Sequence, residues 1–208
     1  MATASSLKIG PADHGRAMTL DEFLDAEETE GYRYELARGV LEVTEIPNEP
    51  HVELECFLME ALILHKHAHP GLIHRVGNGS TVRLWLPGLV SSRHPDVAVI
   101  LRNAPKDWRA HRIPSLVMEI VSEGRDARDR DYIAKREEYL AYGLLEYWIV
   151  DPFERKITVL VRRGDIWTER LFTGDQSAQG LVLPGFSVRL PDLWSAAESD
   201  PDDEQTGD

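Results

Sequence analysis

The chain has 208 residues, 42% of them hydrophobic and 28% charged, which is the composition of a globular domain large enough to fold around its own core. The net charge is −13, and the single cysteine, Cys56, excludes an internal disulfide bond. Overall charge therefore cannot hold nucleic acid on this chain, and any phosphate-bearing substrate would need local basic residues and a metal ion.

The two ends of the chain are predicted to lie outside the folded domain. Residues 1–18 show no periodic pattern and are predicted to be a flexible N-terminus, and residues 195–208 a disordered acidic tail. One domain over residues 19–194 remains. The chain does not start with basic residues followed by an apolar run, and none of its apolar stretches is long enough to cross a bilayer. We therefore expect a cytoplasmic protein with no membrane partner.

The first part of the domain combines a short helix, a hairpin and a long helix. Thr19 and Glu22 form a capping box, which predicts that a short helix follows. The next two strands, at 32–36 and 40–43, are predicted to pair as a hairpin. A long helix is then predicted from Pro50 to about Lys66. Its buried stripe is predicted to contain Val52, Cys56, Met59, Leu62 and Ile63.

The second part of the domain is predicted to contain strands on both sides of another long helix. This helix is expected from about Arg128 to Tyr142, with Gly143 ending it. A turn at Asn78-Gly79 is expected to join the first two of these strands. The predicted strands cover residues 73–76, 81–86, 97–101, 116–121, 146–150, 157–161 and 167–172. This order predicts an α/β or α+β domain with a mixed β-sheet.

Two acidic residues stand in apolar strand sequences. Strand alternation over 116–121 makes both faces apolar except at Glu119, a pattern typical of a central strand covered on both sides. Asp96 directly precedes the apolar run 97–101, and the 23 residues between the two acids allow them to lie on neighbouring strands. Burying a carboxylate is costly unless it is paired. Oxygen ligands of this kind suit Mg²⁺.

A lysine lies within the apolar stripe of the second long helix. Lys135 occupies a row with Tyr132, Tyr139 and Tyr142, at spacings of three and four residues. An inward-facing lysine needs a negative partner, which could be Asp131 one turn earlier or a substrate phosphate.

Each of the three charged residues also has a purely structural interpretation. Glu119 could pair with an arginine such as Arg112, Asp96 could cap the end of a strand, and Lys135 could extend to solvent. Taken singly, each residue fits its structural interpretation better, and the spacing alone does not define a reaction.

Several segments of the sequence resemble the Uma-type family of restriction endonucleases, which falls within the PD-(D/E)XK nuclease superfamily. The similarity runs from about Thr19 to Leu193. The matching pieces are Tyr34-Glu35-Leu36 with Gly39, Pro50-His51, Pro95-Asp96-Val97, Met118 to Ser122, Asp131 with Lys135, Tyr139 and Gly143, and Glu146 to Pro152. The superfamily's usual lysine lies two positions after the acid, where this chain has Val121. Lys135 fills the corresponding role on the following helix.

The resemblance implies a restriction-endonuclease-like core, with a mixed β-sheet flanked by helices, and roles for particular residues. Asp96, Glu119 and Lys135 would be catalytic, and the two acids would bind the metal with the backbone carbonyl of Ile120. The supporting residues would be Glu35, His51, Ser122 and Asp131. The arginines that could contact phosphate are Arg125, Arg128, Arg130 and Arg136, although they could equally form a solvated helix face paired with Asp126, Asp129 and Glu137.

These features lead to a functional hypothesis with two alternatives. The first is a metal-dependent endonuclease that hydrolyses phosphodiester bonds in DNA with Mg²⁺, or with Mn²⁺ as a substitute. By analogy with related nucleases it could act as a homodimer. The alternatives are a catalytically silent nuclease-fold binding module and a hydrolase of small phosphoesters.

Overall fold

The computed structural model describes residues 7–198. The α-helices are Leu20–Asp25 (α1), Glu49–Ala68 (α2), Arg125–Asp129 (α3), Lys135–Tyr142 (α4) and Leu190–Glu198 (α5). The π-helical turn Arg130–Ala134 joins α3 to α4. The strands are Lys8–Ile9 (β1), Glu27–Glu28 (β2), Tyr32–Ala37 (β3), Val40–Glu45 (β4), Ile73–Gly77 (β5), Leu84–Leu86 (β6), Ser91–Arg93 (β7), Val97–Leu101 (β8), Leu116–Ile120 (β9), Glu146–Asp151 (β10), Lys156–Arg163 (β11), Ile166–Thr173 (β12), Ser177–Ala178 (β13) and Val188–Arg189 (β14).

A six-stranded sheet forms the centre of the fold, in the order β12-β11-β10-β9-β8-β5. β9 and β10 run parallel, and the other neighbours are antiparallel, so the sheet is mixed. Leucines of α2 and α5 pack on one face of the sheet, and Tyr139 of α4 packs on the other. The predicted α/β class with a mixed sheet between helices is confirmed.

A smaller sheet lies beside the central one and supplies further residues near its edge. Its order is β4-β3-β7-β6, and the predicted hairpin of β3 and β4 is confirmed. β7 pairs with β3 and is separated from β8 of the central sheet by only three residues, 94–96. The chain therefore passes from one sheet to the other immediately before Asp96.

The long helix α2 has the predicted position but buries a different stripe. Its buried leucines are Leu54, Leu58 and Leu62, spaced by four residues, whereas Val52 and Ile63 are each 40% exposed. The predicted stripe was therefore wrong at Val52, Cys56 and Ile63, which are exposed, whereas Leu62 is buried and Met59 is partly buried against the core. Apolar residues surround much of this helix, and periodicity could not select which of two adjacent faces meets the sheet.

The predicted turn at Asn78-Gly79 lies between β5 and β6, but the two strands that it joins do not pair with each other. The turn itself forms, since the carbonyl of Asn78 accepts hydrogen bonds from the amides of Thr81 and Val82. However, β5 belongs to the central sheet and β6 to the smaller one. The turn therefore directs the chain between sheets.

At the ends of the described region, more of the chain is ordered than the sequence predicted. Residues 7–18 contain β1, a 3₁₀ turn at Pro11–Asp13 and the fully buried Ile9, and α5 continues to Glu198. The remainder of the predicted N-terminus and tail, 1–6 and 199–208, falls outside the described residues. Within 7–198, no helix has the length and apolar character needed to span a bilayer.

Candidate active site

The pairing of two central strands brings Asp96 and Glu119 together. β8 and β9 are antiparallel, and Val97 lies opposite Met118. The next residue outward on each strand is an acid, so the two carboxylates stand side by side at one end of the sheet. Asp96 is 3% exposed and Glu119 is 1% exposed. The prediction that these acids lie on neighbouring strands is confirmed.

Lys135 reaches the same place from the helical segment that follows β9. Its Nζ lies 2.8 Å from Oε2 of Glu119, 3.4 Å from Oδ1 of Asp131 and 3.8 Å from Oε2 of Glu35. The π-helical turn ends at Ala134, directly before Lys135, and π turns within helices are often found at functional sites. The structure therefore brings all three predicted catalytic residues together, and Lys135 is buried instead of extending to solvent.

Asp96 accepts two hydrogen bonds from other parts of the chain and also lies close to a histidine. Its Oδ1 accepts a hydrogen bond of 2.6 Å from Arg33, and its Oδ2 accepts one of 2.9 Å from the backbone amide of Ile120. The Nε2 atom of His51 lies 3.3 Å from Oδ1. Burial alone would raise the pKa of Asp96, but His51, Arg33 and Lys135 hold it well below its usual value. This carboxylate therefore stays ionised.

Glu119 has the opposite electrostatic environment. Burial raises its pKa, and the nearby carboxylates of Asp96 and Asp131 add to the effect, against the pull of Lys135. Its Oε1 accepts a hydrogen bond of 2.5 Å from the hydroxyl of Tyr139. Two neighbouring acids with pKa values moved in opposite directions are typical of sites that handle protons or cations.

Glu35 completes the acidic group. It lies on β3 and is 6% exposed, with its carboxylate contacting Arg93 and the backbone amide of His94. Although burial alone would raise its pKa, Lys135 and Arg93 lower the pKa of Glu35 to about 2.

A cavity of about 690 Å³ opens onto these side chains. It is larger than a metal ion requires, so part of a substrate could enter it. The predicted site residues that line it are Glu35, His51, Asp96, Glu119, Ile120, Ser122, Arg130 and Lys135. Asp131 lies behind the cavity and contacts both Lys135 and Arg130.

Of the four arginines predicted near phosphate, Arg130 lines the cavity and the other three pair with acids elsewhere. Arg125 is within 3.6 Å of Asp129, as the solvated-face interpretation predicted. The partners of Arg128 are Asp151 and Glu154, and that of Arg136 is Glu169. The phosphate-contact hypothesis therefore retains geometric support at Arg130.

Sequence reasoning missed two residues that contact the paired acids. Arg33 lies on β3, where alternation gave no sign of its contact with Asp96 on the other sheet. Tyr139 was assigned to the aromatic row but not to Glu119. Arg112, considered as a structural partner for Glu119, donates instead to the backbone carbonyls of Arg102 and Ala104.

The residues of this site fit a divalent cation. Among the described residues, four buried carboxylates face three basic side chains that no other acid shares, since Arg93, the further partner of Glu35, also binds Glu42 and Glu138. An added cation would reduce the imbalance. Within residues 7–198, Oδ2 of Asp131 and Nε2 of His51 are buried without a hydrogen bond. Ligand atoms of His51, Glu55 and Asp96 lie within 4.8 Å of one another, close enough to share one ion. The acids are Glu35, Asp96, Glu119 and Asp131, and the bases are Arg33, Arg130 and Lys135.

Comparison with known proteins identifies the fold and the family of this chain. A solved structure from Anabaena variabilis, described as a putative nuclease belonging to DUF820, superposes with a TM-score of 0.68 at 20% sequence identity. The match covers 86% of this chain and 99% of that one, and at this identity it establishes the shared fold. No curated protein matches the chain. The sequence model of the Uma2 family, described as "Putative restriction endonuclease", matches residues 20–191, and the chain therefore belongs to the Uma2 family.

Proposed function

We propose that this protein is a metal-dependent endonuclease that hydrolyses phosphodiester bonds in DNA. The observation that carries the proposal is the meeting of Asp96, Glu119 and Lys135, from two strands and a helix, at the end of one cavity. Membership of the Uma2 family supports a nuclease reaction, and the cavity supports access by a substrate.

Asp96 and Glu119 would hold the metal ion, with the backbone carbonyl of Ile120 as a further ligand. His51 and Glu55 form a ligand group with Asp96, which favours testing Mn²⁺ beside Mg²⁺ because imidazole suits transition metals better. When bound, such an ion polarises a phosphoryl oxygen and lowers the pKa of a coordinated water.

The protein's own side chains would position the reacting groups. The ammonium of Lys135, held by Glu119 and Asp131, would orient the attacking water or stabilise the negative charge that grows on the phosphoryl oxygens. Arg33 fixes the carboxylate of Asp96, and Tyr139 fixes that of Glu119. Arg130 lines the same cavity and would contact a non-bridging oxygen of the phosphate.

Cleavage of supercoiled plasmid DNA tests this proposal. Wild-type protein should cut in Mg²⁺ or Mn²⁺ and should not cut in EDTA, and Asp96→Asn should remove cutting under all conditions. Glu146→Gln is the matched control, because Glu146 is as deeply buried as Glu119 and lies at the opposite end of the paired strands, outside the cavity lining. Equal cutting by wild type and Asp96→Asn would disprove the assignment.

The same preparations separate the alternatives. A silent binding module would cut none of the substrates in any metal. A hydrolase of small phosphoesters would cleave a chromogenic diester and leave plasmid and single-stranded DNA intact.

A further inference from the structure

A second cavity, of about 900 Å³, adjoins the active-site cavity and is lined mainly by basic and aromatic side chains. Arg33, Ile46 and Pro47 line both cavities, so the two are continuous. We call this second cavity the basic groove. Its charged and titratable lining residues are Glu28, Tyr32, Arg33, Tyr34, His74, Arg75, Arg83, His94, Lys106, His111 and Arg112.

The charge of the basic groove runs against that of the whole chain. The protein carries a net charge of −13, yet five of the groove's lining residues are Arg or Lys and Glu28 is its single acidic one. Arg75 and Lys106 are exposed, and none of the ion pairs recorded in residues 7–198 involves either of them. Arg33 and Arg83 are paired with Asp96 and Glu28, so the exposed, unpaired charge of the groove lies at Arg75 and Lys106. On an acidic protein, these two exposed cations form a local positive region that would attract an anionic partner.

The electrostatics of His74 agree with this positive region. Burial and the neighbouring Arg112 and Arg75 lower the pKa of His74. Protonation of this imidazole is therefore opposed by positive charge already present in the groove.

Aromatic rings and guanidinium groups contact one another at one side of the groove. Arg83 and Trp85 line the groove, and Arg109 and Trp108 lie beside them, outside its lining. The guanidinium of Arg83 lies 5.1 Å from the ring centre of Trp85, and that of Arg109 lies 4.9 Å from the same ring. Arg109 is also 5.4 Å from the ring centre of Trp108, which is 58% exposed. Tyr32, 40% exposed, lines the groove as well. Exposed rings beside basic side chains are the arrangement by which proteins stack unpaired bases.

We propose that the basic groove binds an unpaired strand of nucleic acid and leads its phosphodiester backbone into the active-site cavity. Arg75, Lys106 and Arg112 would contact phosphates, and Trp108 and Tyr32 would stack on bases. The inference that the ligand of the groove is a nucleic acid rests on the proposed function. The preference for a single strand rests on the exposed rings, because bases within a duplex do not offer their faces to a side chain.

Binding measured without metal tests the groove separately from cleavage. The probe is a fluorescent single-stranded DNA of about 20 nucleotides. It is longer than the roughly 4–16 nucleotides that a single-strand binding groove covers. Its anisotropy is titrated with full-length protein in EDTA at several salt concentrations. Arg75→Glu with Lys106→Glu is the test variant. Arg163→Glu with Arg170→Glu is the control, since it reverses two exposed charges on β11 and β12, at the far edge of the central sheet.

The test variant should bind the probe at least about tenfold more weakly. The slope of log affinity against log salt concentration should also be shallower by about 1.4, because each of the two lost phosphate contacts contributes roughly 0.7. The control should bind like wild type. Equal binding by test variant and wild type, or no binding by wild type, would overturn the proposal.

Trp108→Ala tests whether bases stack on the exposed ring of Trp108. It should weaken binding about fivefold or more and leave the salt dependence unchanged, because it removes a ring and no charge. Wild-type affinity in this variant would remove Trp108 from the proposal.

Competitors identify the partner. Duplex DNA of the same sequence should displace the probe at least about tenfold less well, and equal displacement would overturn the single-strand preference. Polyglutamate of the same total charge should not displace the probe. If it displaced the probe as well as the single strand does, the groove would be assigned to acidic proteins.

If wild type binds through the groove but cuts no substrate, the proposed function fails and this inference stands. If wild type and the test variant cut DNA equally well, the proposed function stands and this inference fails.

Discussion

Two clusters of buried charge lie close together in this protein and are built differently. In the active site, Lys135 faces several carboxylates beside a cavity. In the second cluster, which we call the arginine cluster, the fully buried Arg93 donates two hydrogen bonds to Glu138 and one each to Glu35 and Glu42. Glu35 contacts both clusters, through Arg93 on one side and Lys135 on the other.

The two clusters differ in how completely their buried charges are paired. The guanidinium of Arg93 has carboxylates around its whole edge, which is the bidentate geometry that stabilises a buried pair. The candidate active site keeps polar atoms without hydrogen bonds, at His51 and Asp131, and opens onto a cavity. Burial of charge is common to both clusters, whereas incomplete pairing beside a cavity distinguishes the active site.

The largest effect on stability is expected in the arginine cluster. Arg93→Met leaves buried carboxylates without their partner, which should cost about 3–5 kcal/mol of unfolding free energy. For a chain of this size, the melting temperature should fall by roughly 6–20 °C, as measured by calorimetry. Arg163→Met, an exposed arginine, is the control. A change of less than about 2 °C for Arg93→Met would show that the cluster does not stabilise the fold.

Lys135→Met should have its main effect on activity. Loss of its charge should slow DNA cleavage by at least about 100-fold, the size expected for a group that stabilises developing negative charge. Its effect on melting should be smaller than that of Arg93→Met, because the raised pKa of Glu119 lets that carboxyl take up a proton when its partner is lost. Lys66→Met is the control, because it removes a lysine that does not line the active-site cavity. Full activity in Lys135→Met would give Lys135 the same structural role as Arg93.

The shared residue Glu35 should make stability depend on acid pH. Its pKa is lowered from 4.5 to about 2, so its contribution is present above pH 4.5 and is lost as the pH falls towards 2. The shift corresponds to at most about 3 kcal/mol. Urea unfolding between pH 5 and pH 2 should therefore show a shallower loss of stability in Glu35→Gln than in wild type. An equal loss of stability with falling pH in wild type and Glu35→Gln would contradict the lowered pKa of Glu35.

Tyr139→Phe should have the smallest effect. It removes one hydrogen bond to Glu119, worth about 1.5–3 kcal/mol when the acceptor is charged and less when it is protonated. Cleavage at limiting metal should fall by roughly tenfold or less, and excess metal should restore it if Tyr139 only positions Glu119. A defect that excess metal does not restore would indicate direct contact with the substrate.

Local patterns singled out the two acids and the lysine, and the family resemblance assigned them to one site. Glu119 interrupts a strand that is apolar on both faces, and the predicted strand bounds place Asp96 at the same end of the neighbouring strand. Lys135 followed from helical spacing, although the π-helical turn before it was not predicted. These features depend on residues close together in sequence, where periodicity carries the information.

The contacts that connect the two sheets could not be predicted from the sequence. Arg33 lies 63 residues from Asp96, and their hydrogen bond depends on how β3 packs against the central sheet. Arg93 lies 58 residues from Glu35, and its three partners come from different elements. Periodicity describes which face of an element is buried and carries no information on which distant element covers it.

Calorimetric titration with Mg²⁺ and Mn²⁺ tests most directly whether the active site, and not the arginine cluster, holds a metal ion. Wild type and Glu42→Gln, which alters an acid of the arginine cluster, should bind the ion alike. Asp96→Asn should lose that binding. Equal binding by Asp96→Asn and wild type would contradict the account, since the ion would then lie elsewhere.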